Sequence, residues 1–118
     1  MKPTLLLIFG LYLLSAPTLA EEANATIFLT VYDAARPEDK EHLRNFVEAL
    51  QGGVAWANAA MKNQKQKPLY CGPEKLALTG EQVIDIMRKE VEARPSVGQF
   101  PWPAVMIRAL QNVFPCRD

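Results

Sequence analysis

The stretch Leu78-Thr79-Gly80-Glu81-Gln82-Val83 decides how the chain is read. Thr79 and Gln82 have the spacing of a capping box, in which each side chain satisfies a free backbone N–H of the other at a helix start. Leu78 and Val83 are spaced to close over that first turn as a hydrophobic staple. Val83, Ile84, Met87 and Val91 follow at helical intervals, and Arg94-Pro95 stops the run, because the residue before proline is driven out of helical backbone.

Both flanks of this helix read the same way. Downstream, Pro103 suits a first helical turn, and Met106, Ile107, Leu110, Val113 and Phe114 form a stripe that ends at Pro115-Cys116. Upstream, Pro37-Glu38-Asp39 places a proline and two carboxylates where a helix N-terminus favours them. Leu43, Phe46, Val47, Leu50, Val54, Ala57 and Met61 are the expected apolar stripe of the long helix that follows, which the polar run 62–68 closes. Phe28, Val31, Tyr32 and Ala35 suit a short first helix with Thr26 as its N-cap, although Ile27, Thr30 and Val31 are β-branched and also suit a strand. The expected fold is all-α: a small four-helix bundle-like domain with one disulfide.

The front of the chain differs in kind. Lys2 followed by an apolar run over residues 5–14 and the small residues Thr18 and Ala20 has the pattern of a signal peptide, expected to be cut after Ala20. Residues 1–20 are then the signal peptide and residues 21–118 a single all-helical domain, exported to the periplasm or beyond. The apolar run is shorter than the roughly 20 residues of a membrane span. No cysteine follows the cleavage point directly, so no lipid or membrane anchor is expected. In an oxidising compartment the two cysteines, Cys71 and Cys116, are expected to form one bridge. Closing a loop of about 46 residues removes on the order of 4 kcal/mol of unfolded-state entropy.

Charge excludes some partners. Lys and Arg total 13 and Asp and Glu total 13, and loss of Lys2 leaves one more acid than base, so nothing steers the chain to nucleic acid or anionic lipid. His42 is the only histidine; Asp39 lies one turn before it, but no second half of a metal site accompanies the pair. The cysteines are too far apart for a CxxC redox pair, and no nucleophile has a visible base. The chain reads as non-enzymatic, with no catalytic residues, no metal and no cofactor. Asn24-Ala25-Thr26 matches a glycosylation sequon.

Two features suit binding. Gly52-Gly53 in mid-helix costs about 1 kcal/mol per glycine against alanine. The pair makes sense as part of a small-residue ridge, Ala49, Gly53, Ala57 and Ala60, that lets another backbone approach, either within the chain or in a homodimer. Phe100-Pro101-Trp102-Pro103 sets two large rings among rigid prolines; Phe100 and Trp102 either plug the end of the bundle or anchor a protein partner. Of the two surfaces, the loop is expected to take the heterologous partner and the ridge to serve helix packing or dimerisation.

From Phe46 to Cys116 the motifs occur in a telling order: Gly52-Gly53, Trp56-Ala57-Asn58, Leu69-Tyr70-Cys71-Gly72-Pro73, a helix opening with Leu78-Thr79, a proline after it, Ala109-Leu110, and Phe114-Pro115-Cys116. In this order the chain resembles the Tai-like immunity domain of bacterial type VI secretion. The resemblance implies an all-helical periplasmic domain with Cys71 bonded to Cys116. For the best-known members it implies a non-enzymatic inhibitor, often a dimer, that plugs the active site of a peptidoglycan amidase effector. The competing expectation is a general periplasmic helper, such as a stress chaperone or envelope assembly factor.

Overall fold

The computed structural model describes residues 23–72 and 77–117. The expected signal peptide and the cleavage point after Ala20 lie outside them. Four helices make up the fold: α1 (Ala25–Ala34), α2 (Pro37–Asn63), α3 (Gly80–Ala93) and α4 (Trp102–Val113), with a 3₁₀ turn (Pro95–Gln99) between the last two. No strand occurs among the described residues. The all-α expectation holds, and so does the bridge: Cys71 and Cys116 are joined, their Cα atoms 4.8 Å apart across 45 positions of sequence. None of the described helices is long and apolar enough to cross a membrane.

α3 is the hub, packed against α1, α2 and α4. Its start is the capping box: the Gln82 backbone N–H donates to the Thr79 hydroxyl (3.2 Å) and the Thr79 N–H to Gln82 Oε1 (2.9 Å). Val83, Ile84 and Met87 point from it into the core, where they meet Val47 of α2 and Val105, Met106 and Leu110 of α4, all nearly inaccessible to water. The close crossing of α2 and α3 depends on Gly80. A Cβ there would lie 2.0 Å from the Arg44 carbonyl oxygen, and the Gly80 N–H donates to Glu48 Oε2 at 3.0 Å. Any side chain at Gly80 forces the two backbones apart.

α1 begins two residues earlier than its apolar spacing suggests. Asn24, not Thr26, is the N-cap, its Oδ1 accepting from the Ile27 N–H at 2.8 Å. The sequon asparagine is thus engaged at a helix head. The β-branched residues do not make a strand, because Ala25, Phe28, Leu29 and Tyr32 form a continuous helical stripe whose burial outweighs their local preference. Just before it, residues 23–25 pair with residues 100–102: Ala25 N–H donates to Phe100 O (3.0 Å) and Trp102 N–H to Ala23 O (3.1 Å).

α2 is rotated relative to its expected stripe. Phe46 and Ala57 face solvent, while Gln51 and Asn58 are buried. Hydrogen bonds cause this. Asn58 donates to Tyr70 O (2.9 Å) and accepts from the Leu69 N–H (2.8 Å), and Gln51 Nε2 donates to the Tyr70 hydroxyl (3.2 Å). The irregular segment around Tyr70 would otherwise bury unsatisfied backbone groups, so α2 turns its amides toward it. Cys71 N–H donates to Phe114 O (2.8 Å), and Tyr70 lies against the Phe114 ring, which places the disulfide where the α2 return meets the end of α4.

Candidate binding surfaces

Trp102, expected as a partner anchor, is a core residue. It is 5% exposed, stacks on Phe28 with ring centroids 4.8 Å apart, and meets Phe46 edge-on at 5.9 Å. The pairing of residues 100–102 with the entry to α1 brings the indole over Phe28, and this long-range pairing has no local signature. Assigning Trp102 to partner binding is therefore corrected: its ring ties α1 and α2 to the first turn of α4. Phe100 is different. It is 60% exposed, and its backbone is fixed on both sides, by its N–H to Val97 O (3.1 Å) and its carbonyl to the Ala25 N–H.

The loop around Phe100 is stiff for reasons visible in the chain. Pro95 opens the 3₁₀ turn and Pro101 precedes α4, each with its φ fixed by the ring. Gly98 lets the turn sit directly on α1, since a Cβ there would lie 2.1 Å from the Thr26 hydroxyl oxygen. Phe100 consequently stands at the head of α1, on which Ile27 and Val31 are also exposed.

The second surface is the outer face of α2. Ala49, Gly53 and Ala57 are exposed, and a Cβ on Gly53 would meet nothing within 4 Å. Their assignment to packing within the chain is corrected, because no described element crosses them. Phe46 and Trp56, 59% and 80% exposed, lie on the same side of the helix. From Ala49 to Met61 the sequence contains no charged residue, an unusual length for a helix with only one face in the core. That run of uncharged residues is the signal by which sequence reading could have found this surface.

A shallow hollow runs between α2 and the Tyr70 segment, lined by Gln51, Ala55, Asn58, Tyr70 and Leu78. Gln51 Nε2 is engaged by the Tyr70 hydroxyl, and the Asn58 amide by the Tyr70 carbonyl and the Leu69 N–H. His42 is exposed and borders a surface depression with Val31, Asp39 and Leu43; Asp39 is engaged by Arg36 at 2.9 Å. Among the described residues no three His, Cys, Asp or Glu side chains converge as a metal set.

Among the described residues Glu90 is a buried carboxylate. Burial raises the pKa of Glu90, but hydrogen bonds from Asn112 (2.9 Å), Arg94 (2.8 Å) and Arg108 (3.1 Å) outweigh it and hold the group below its ordinary value. At the surface, the two-pronged bond from Arg88, at 2.7 and 2.8 Å, lowers Asp33 and ties α1 to α3. A carboxylate depressed in the folded state stabilises it above the unfolded-state pKa, and that contribution disappears as pH falls through the folded value. Unfolding midpoints are thus expected to hold from neutrality into the weakly acidic range and to drop below the ordinary carboxylate range. Glu90→Gln should lose about 2 kcal/mol at neutral pH, the scale of hydrogen bonds to a charged group, and should flatten that acid slope. A thermal-melt series against pH for both proteins makes the check; an unchanged slope in Glu90→Gln would place the acid sensitivity elsewhere.

Comparison of the chain with protein-family models, with curated proteins and with solved structures found no match.

Proposed function

We propose that the protein is an exported, non-enzymatic binding protein that inhibits a peptidoglycan amidase effector of type VI secretion by occupying it. The observation that carries the reading is Phe100: an exposed ring on a backbone held by hydrogen bonds and flanked by proline. A ring presented this way loses little entropy on docking, and aromatic residues dominate the energetics of protein interfaces. Ile27, in the first turn of α1, is exposed as well. The resemblance of the segment from Phe46 to Cys116 to the Tai-like immunity domain supplies the class of partner, and a disulfide accords with an oxidising compartment such as the periplasm.

The test is capture followed by enzymology. Protein purified from the periplasm is immobilised, captured proteins are identified, and the hydrolysis of cell-wall peptide bonds by the captured protein is measured with and without the bait. Stoichiometric inhibition of one amidase supports the proposal. Capture of many unrelated proteins, released on refolding, would replace it with the helper reading.

A further inference from the structure

The groups around Glu90 carry more positive charge than its carboxylate requires. Arg94, which caps α3, and Arg108 of α4 both donate to the same oxygen, Oε1, through Nη1 at 2.8 Å and Nε at 3.1 Å. Asn112 Nδ2 donates to Oε2 at 2.9 Å. One arginine would neutralise Glu90, so the second leaves the cluster with a net positive charge. The carboxylate is the floor of the arrangement, its side chain 7% exposed, whereas those of Arg94 and Arg108 are 52% and 53% exposed.

A guanidinium has five N–H donors in one plane, and each of these two gives a single nitrogen to Glu90. Among the described residues no other side-chain bond engages either one. A two-pronged edge therefore remains on each: Nε with Nη2 on Arg94, and Nη1 with Nη2 on Arg108. Their shared acceptor holds the two groups side by side, which lowers the rotamer entropy lost when a ligand arrives. Nothing acidic in the neighbouring sequence competes for these edges, because the chain has no Asp or Glu from Ala93 to Arg117. Glu92 acts on Arg88 instead.

We propose that Arg94 and Arg108 form a binding site for a carboxylate group, with Glu90 as the positioning residue beneath them. A planar carboxylate matches a guanidinium edge with two parallel bonds, and a single negative charge matches the surplus of the cluster. A phosphate dianion exceeds that surplus and would be repelled by Glu90. The carboxylate can belong to a free organic acid or to an Asp or Glu side chain of a docking protein. For the second source the position is suitable: the Val97 N–H donates to Arg94 O and the Phe100 N–H to Val97 O, so Arg94 and Phe100 stand at the two ends of one rigid turn.

Acetate titrated into the isotope-labelled protein, followed by nuclear magnetic resonance, tests the site without any partner. The side-chain Nε–H signals of Arg94 and Arg108 should shift saturably, with half-saturation at roughly millimolar acetate. Arg88, already held by two bonds from Asp33, should shift little. Arg108→Lys keeps the charge but removes the fork; it should weaken acetate binding at least several-fold while the circular dichroism stays that of the wild type. Shifts that do not saturate, equal shifts at Arg88, or an Arg108→Lys protein that binds acetate as well as wild type would each overturn the proposal. Stronger binding of inorganic phosphate would overturn the choice of carboxylate. The source is read from a captured partner: binding weakened by Arg108→Lys and by added acetate assigns the carboxylate to that protein, and binding indifferent to both assigns the site to a free acid. Phe100→Ala bears only on the partner measurement, so the two readings fail separately.

Discussion

Trp102→Ala is expected to lower the stability of the fold by about 3–5 kcal/mol, the cost of deleting a buried large aromatic side chain. The indole is 5% exposed and stacked on Phe28, and its edge supports Phe46, so its removal opens a cavity between the first turn of α4 and two other helices. Collapse cannot readily fill that space. The backbone at this point is held by the Trp102 N–H bond to Ala23 O and by the neighbouring bond from Ala25 N–H to Phe100 O. Against a typical net stability of roughly 5–15 kcal/mol the loss is severe, and a large fraction of the variant should unfold on mild warming. Urea titration of wild type and variant measures it. A loss under ~1 kcal/mol would mean that the ring contributes little to the core.

Replacing both cysteines with serine should cost about 4 kcal/mol, because the loop they close spans 45 positions and its closure entropy is restored to the unfolded chain. For a chain of this size that corresponds to a fall in unfolding midpoint of roughly 15 °C or more. The damage should begin locally. The Cys71 N–H bond to Phe114 O and the Tyr70–Phe114 contact lie beside the bridge, and Gln51 and Asn58 of α2 depend on Tyr70 being in place. Hydrogen exchange should therefore rise first at residues 69–71 and the last turns of α2, before α3 and α4 open. Melts with and without reductant test this directly, and coincident curves would show that the bridge adds nothing to stability.

How much of this was legible follows from the reach of each interaction. The start of α3 was fully readable, because a capping box is closed within four residues and needs no partner elsewhere. The N-cap of α1 was not, since Asn24 is selected over Thr26 by a pairing with residues 100–102, far along the chain. The buried face of α2 was misjudged for a similar reason: apolar counting cannot see that Gln51 and Asn58 must satisfy the backbone and hydroxyl of Tyr70. Phe100 and Trp102 look equivalent in sequence, and only the position of Phe28 separates the buried ring from the exposed one. The stretch without charge around Trp56 marks the face of α2 that the described residues leave uncovered.

Recognition through a rigidly held ring is tested most directly by calorimetric titration of the captured partner with wild-type protein and with Phe100→Ala. The expected result is a loss of about 2 kcal/mol, roughly thirtyfold in Kd, with the unfolding midpoint of the variant unchanged because the ring is 60% exposed. Equal affinities for the two proteins would contradict it.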